Sequence, residues 1–418
     1  MELSPSDYRS PTTLILRILL LTQILPYPPD SGPRVKTWHV LRYLVGQGHD
    51  VTLVSFIRRD EQASLPILQE ICEVYPVPLR RSRLADGFYW LRSQLSRRPF
   101  LVERDDLPSM RRQVEELKRT RTFDAVHADQ LTMAQFALGF RGLDPQPRLV
   151  FDAHNATWTI VERMKQNAPA VLKPVISLEA RRVARYEGDL IRQFDRTLAV
   201  TEIDRRALLQ VARVDHQAAP ADRIRVIPIT IDTAVLAPVQ RAAGSHSIVA
   251  VGTLLYPPNA DGVRWFANDV FPSIRHQVPD AALAIIGKGA PADLERLAAQ
   301  SSGAVTITGY VPDLVPYLEK AALMVVPVRA GGGMRVRILE AFARGIPVVT
   351  TSVGLEGIDA RPGEDVLVED TPERFAAAVL RLLNNPEMQT RLAANGRRLA
   401  ETYYDWKITL RKLDDLYG

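Results

Sequence analysis

A single cysteine, Cys72, in 418 residues excludes an intrachain disulfide and any cysteine-built metal cluster, and fits a reducing compartment. The seven histidines lack ligand spacing, so no zinc site is read from them. No apolar run reaches the roughly 20 residues of a membrane-spanning helix. The longest, "TLILRILLLTQILP" from Thr13 to Pro26, is interrupted by Arg17, and no small-residue cleavage site follows it. It reads as a buried first strand behind a loose tail. No G-x-G-x-x-G follows that strand; "LPYPPDSG" stands in its place, which argues against a nicotinamide dehydrogenase. Low-complexity tracts are absent as well.

Charge is present but unevenly placed. Through residue 235 there are 34 Lys+Arg against 28 Asp+Glu, and thereafter 19 against 20, for a net +5 overall. The basic half is either an ordinary arginine-rich surface or one that faces an anionic membrane or acidic acceptor. Its basic residues are not interleaved with aromatics in a nucleic-acid reader pattern, so no nucleic-acid partner is expected.

The length fits two domains of about 200 residues. The first half opens with Arg17–Thr22, a proline-rich loop, the helical pattern "RVKTWHVLRYLVGQ" and the strand "DVTLVSF". That order is a βαβ unit. Further strands read as "AVHA", "RLVFDA" and "RTLAV". After a connector rich in Ala, Pro and Asp, the alternation restarts with "HSIVAVG", "AALAIIG", "VTITG", "LMVVPV", "PVVTT" and "DVLVE". Apolar strands alternating with amphipathic helices predict an α/β chain with two doubly wound parallel sheets. The boundaries expected are a tail over 1–16, a first domain over 17–225, a second over 226–396, and a C-terminal helical segment over 397–418 that crosses back to the first. Ligands in such sheets sit beyond the carboxyl ends of the strands, so function is sought in those loops and in a cleft between the domains.

One such loop is "AGGGMRVRILEAFARGIPVVTTSVGLEGI", residues 330–358. Gly331, Gly332 and Gly333 let backbone approach a ligand, and a helix N-terminus suits phosphate. Arg335 and Arg337 add full charges that would oppose the helix dipole unless an anion compensates. The loop is then a diphosphate cradle, with Glu340 accepting hydroxyls; or its glycines merely turn the chain while Arg337 pairs with Glu340 at i, i+3.

The segment resembles the donor-binding signature of family 4 glycosyltransferases of the GT-B architecture, in which the loop reads like G-x-G-T-R-L-K-I-L-E-A. Here Gly331, Gly333, Met334, Arg335, Val336, Arg337, Ile338, Leu339, Glu340 and Ala341 stand in that order. "LPYPPDSGPRVKTWHVLRYLVGQGHDVTLVSF", with Gly32 in its glycine loop, is similar to the acceptor-side opening of the family. "FDAVHADQL", "FDAHN", "VGTLLYPPNADGVRWF", "GYVPDLVPYL" and "YYDWKITLRKL" fit as well, so the resemblance runs over residues 17–415. Three departures stand out: Gly332 replaces the first of two glutamates, Met334 replaces threonine, and Ile229-Thr230 replaces Asn-Gly, although Asp232 matches.

The resemblance implies two facing Rossmann-like domains and transfer of a sugar, with retention, from a nucleoside-diphosphate sugar to a glycan or lipid-linked acceptor hydroxyl. It places Gly252, Thr253, Lys288, Met334, Arg335 and Arg337 around the donor, with the Tyr310 and Val311 backbone at the base edge and Gly354–Gly357 along the ribose. Thr253 stands where relatives carry a basic contact, which shifts the load to the arginines. Without the resemblance, the Gly-Lys-Gly at Lys288 reads as a plain strand-to-helix turn. On the acceptor side it implies Gly32, His127, Asp129 and His154; His127 points into the fold, while Asp129 and His154 act as positioning groups and, with Arg335, make up the expected catalytic set. No cofactor and no metal are expected; the lone cysteine and the basic half lead to an expected location in the cytoplasm, peripheral at the inner face of the membrane. Two other readings stay open: a GT-B nucleotide-sugar epimerase and a non-catalytic nucleotide-sugar-binding subunit.

Overall fold

The computed structural model describes residues 14–165, 168–212 and 223–417. They form two units, one of Met1–Thr230 with Thr409–Gly418, the other of Ile231–Ile408. The expected tail lies outside the described residues apart from its last three positions, of which Leu14 and Ile15 are exposed. The start of the expected connector, 216–222, also lies outside them.

The first unit holds seven parallel strands: β1 (Arg17–Thr22), β2 (Asp50–Ile57), β3 (Glu73–Pro78), β4 (Ala125–Asp129), β5 (Arg148–Asp152), β6 (Arg196–Ala199) and β7 (Ile224–Val226), ordered 3-2-1-4-5-6-7. The central strands are apolar almost throughout, as burial on both faces demands; Ile18–Leu21 are fully buried. β3 and β7 escape the sequence reading. β3, "EVYPVP", lies at the sheet edge, where its prolines cost no ladder bond, and β7 has only three residues. Burial pushes the Cys72 thiol, just before β3, up to about 12, with Glu73 adding to it.

The second unit holds six parallel strands: β8 (Ser247–Val251), β9 (Ala282–Ile286), β10 (Val305–Gly309), β11 (Ala321–Val326), β12 (Val348–Thr350) and β13 (Leu367–Val368), ordered 10-9-8-11-12-13. Each expected strand here is present. The division between the units differs from the expected boundaries: residues 226–230 fall in the first unit, and residues 397–408 stay with the second. Arg397 donates to the carbonyls of Leu236, Thr233 and Ala343, and Asp405 bridges to Ile231.

Both sheets reverse their winding beside the first strand, between β1 and β4 and between β8 and β11. Crossovers leave in opposite directions there, so the strand ends open into a crevice. Among the described residues, no helix is long and apolar enough to cross a membrane.

Candidate functional site

In the first unit, β4 and β5 end side by side, with Asp129 in register with Asp152. Asp129 is 1% exposed, and its Oδ1 lies 2.8 Å from His154 Nε2. Thr37, on helix Gly32–Gly46, donates to both Asp129 oxygens at 3.1 Å. His154 has φ +41°, an unusual backbone for histidine that turns the chain back over the strand ends.

Asp152 is fully buried and forms an ion pair with Lys36, itself 1% exposed. Burial works against its charge, but Lys36, His154 and His127 together hold its carboxyl well below the usual carboxylate range. His127 is fully buried, as expected of a side chain pointing into the fold. Its Nδ1 lies 2.6 Å from the Tyr417 hydroxyl, and the two rings stack at 6.0 Å. Burial, Asp152 and Asp129 push the Tyr417 hydroxyl far above its usual value, so it keeps its proton. A phenol donating to Nδ1 leaves Nε2–H facing Asp152 Oδ2 at 3.7 Å.

His127, Asp129 and Asp152 each offer a ligand atom within 4.8 Å of the others, a grouping that histidine spacing along the chain does not reveal. Lys36 already supplies the positive charge at Asp152. Lys36, Thr37, Asp152 and Tyr417 were not singled out from the sequence. Asp152 and Tyr417 lie inside segments that were, and Lys36 is a lysine on the buried face of its helix. Gly32 opens that same helix.

In the second unit, the loop after β11 passes through Gly331 at φ +106° and Gly333 at φ +83°, both in the region that favours glycine. A Cβ on Gly331 would stand 3.2 Å from the Tyr256 hydroxyl. The helix that follows is Val336–Ala343. Arg335 is its N-cap residue, so its charge does not ride on the first turn. Its guanidinium turns back to donate to the carbonyls of Gly332, at 2.9 Å, and Gly333.

Arg337 does not pair with Glu340. It donates to the Val251 carbonyl at 2.6 Å and to Asn259 Oδ1 at 2.6 Å, tying the helix to the end of β8. Burial, with the like charge of Arg335, draws its guanidinium down to about 10 against the pull of Glu340 and Tyr256. It remains a cation at neutral pH. Gly252 makes room for it: a Cβ there would stand 2.1 Å from Nη1. Burial pushes the Glu340 carboxyl up, while Arg344 and Arg337 oppose.

The remaining expected positions frame the same strand ends. Thr253 is exposed and its carbonyl accepts from Asn259. Lys288 is exposed, and its carbonyl accepts from Leu254 N–H. Tyr310 is exposed beside half-buried Val311 after β10, and Met334 is buried. Gly354 packs with no room for a Cβ, which would stand 2.1 Å from Thr350 Oγ1. Asp232 accepts from Val235 N–H. Asn259, the second anchor of Arg337, is the residue that sequence reasoning missed here.

Two family models match the chain: a glycosyl transferase 4-like domain over residues 31–230 and glycosyl transferases group 1 over 245–385. An uncharacterized protein in the cps region of Klebsiella pneumoniae is 22% identical over 94% of this chain and 97% of its own length. A GDP-mannose-dependent phosphatidylinositol monomannoside mannosyltransferase of Mycobacterium tuberculosis is 31% identical over 34% of this chain and 41% of its own. Among solved structures, Anabaena HepE in complex with UDP and glucose superposes with a TM-score of 0.65 at 13% identity, over 96% of this chain and 98% of that one. WaaG, a glycosyltransferase involved in lipopolysaccharide biosynthesis, gives 0.61 at 17%, over 96% and 100%.

Proposed function

The chain belongs to the glycosyltransferases, whose two domain models it matches in order over most of its length, and on that premise we propose that it moves a hexosyl group, with retention of configuration, from a nucleoside-diphosphate sugar to an acceptor hydroxyl. One observation carries the reading. At the winding reversal of the second sheet, a glycine loop is braced from within by Arg335, and Arg337 ties the helix that follows the loop to the end of β8.

Departure of the diphosphate is the difficult step, and negative charge grows on it. Backbone N–H groups over Gly331–Met334 and the two guanidiniums bind that charge more strongly as it develops, which is what lowers the barrier. The bracing bonds matter because a cradle that need not reorganise retains its full effect. Glu340 accepts hydroxyls of the sugar or ribose. In the first unit, Asp129 and His154 orient the acceptor hydroxyl, and the departing phosphate takes its proton. The reading assigns no metal. The acceptor is a glycan or lipid-linked glycan; the named relatives that act on phosphatidylinositol mannosides or in lipopolysaccharide biosynthesis support that class.

A thermal-shift screen across nucleoside diphosphates and their sugars tests the donor half, because a ligand at about 100 times its Kd adds roughly 2.7 kcal/mol to stability. At least one nucleotide should raise the melting temperature, and its sugar should label an added glycan acceptor. A flat response to every nucleotide would remove the reading.

A further inference from the structure

The helix Arg83–Ser96 is built inside out. Leu84, Phe88, Leu91 and Leu95 recur at the spacing of one helical face, yet they are 89, 62, 59 and 88% exposed. Ser93, on the opposite side, is fully buried. That polar side is the one fastened to the body. Arg92 pairs with Glu103 at 2.8 Å and Asp106 at 3.0 Å, and both carboxylates are buried. Arg98, after the helix, pairs with the same two groups at 3.3 and 3.1 Å, and Arg81, before it, pairs with buried Asp105. A helix packed on a protein core does the reverse, so ion pairs hold this one in place while its apolar stripe is left to water.

The surroundings of the stripe say what covers it. Residues 79–98 carry six arginines and one aspartate. Three of the arginines, Arg80, Arg83 and Arg97, are exposed and have no ion pair among the described residues. A second copy meeting this face symmetrically would set the same arginines against one another. An anionic surface with an apolar interior suits both features.

We propose that Arg83–Ser96 docks the protein on an anionic lipid bilayer. The stripe of Leu84, Phe88, Leu91 and Leu95 enters the acyl boundary, and Arg80, Arg83 and Arg97 meet lipid phosphates. The surface is independent of the donor site, since none of these residues belongs to it.

Flotation of the full chain with vesicles tests the proposal. The wild type should float with phosphatidylcholine–phosphatidylglycerol vesicles, less with phosphatidylcholine alone, and less as salt rises. Leu84→Ser, Phe88→Ser, Leu91→Ser and Leu95→Ser combined should lower partitioning at least about ten-fold. All four side chains are exposed, so the melting temperature and any nucleoside-diphosphate shift should stay at wild-type values. Arg80→Gln, Arg83→Gln and Arg97→Gln combined should abolish the preference for phosphatidylglycerol. A wild type that floats with neither vesicle, a serine variant that floats as well as wild type, or a stripe-dependent dimer that ignores vesicles would each overturn it.

Discussion

The hydroxyl of Tyr417 lies 2.6 Å from Nδ1 of His127, so two side chains 290 positions apart share one buried hydrogen bond. The C-terminal segment is thereby keyed to the strand-end cluster of the first unit. Tyr417→Phe keeps the stacked ring and removes only the donor, leaving a buried ring nitrogen unsatisfied. It should cost about 1–3 kcal/mol of stability, read as a lower urea midpoint at unchanged slope. An unchanged midpoint would mean the contact contributes nothing.

Lys36→Met strands the Asp152 carboxylate in a buried site, for an expected loss of about 3–5 kcal/mol. Adding Asp152→Asn should recover most of it. The pH dependence follows from the direction of the Asp152 shift. Its carboxyl is held below the ordinary value, so its stabilisation is fully present above pH ~3.9 and is lost as pH falls below that toward its folded value. Lys36→Met should shrink or reverse that loss, because protonation then relieves the stranded charge. Thermal melts from pH 3 to 7 (about the workable range) would read it; coincident curves for wild type and variant would refute the pairing.

Arg335→Ala removes the brace across the Gly332 and Gly333 carbonyls. Nucleoside-diphosphate affinity and transfer should both fall about 10- to 100-fold, the loss expected for a charged hydrogen bond. Calorimetry and a transfer assay read the two separately. Wild-type values in both would remove Arg335 from the donor site.

Gly287→Ala should be severe, because its Cβ would stand 2.0 Å from the Gly252 carbonyl oxygen, a backbone atom that cannot step aside. A loss of about 2–4 kcal/mol is expected, with β8 and β9 forced apart beside the loop. Gly303→Ala is the matched comparison: its φ is +85° and nothing lies within 4 Å of the added carbon. It should cost only the left-handed backbone penalty of about 1–2 kcal/mol. Equal denaturation midpoints for the two would contradict the packing account.

The strands that position both loci were legible because burial on two faces writes itself as unbroken apolar runs, as in "RILLLT" and "AALMVV". The loops after them followed from the winding of the sheets. What could not be read was partnership. Nothing in "VKTWHV" says that Lys36 meets Asp152, since the pairing depends on how helix Gly32–Gly46 lies on the sheet. Arg337 looked like a partner for Glu340 by spacing, yet the end of β8 offered it a carbonyl and Asn259 instead. Helix Arg83–Ser96 is the opposite case: its stripe is plain in the sequence, but only the fold reveals that the stripe faces out.

The high pKa of Cys72 has a practical outcome. Burial keeps the chain's one thiol protonated at neutral pH, so it should react slowly with maleimides. A cysteine introduced at Leu91 would therefore be the single fast-labelling position on an otherwise unmodified protein. A polarity-sensitive fluorophore attached there would brighten as its surroundings dried, reporting each landing in real time from a native background.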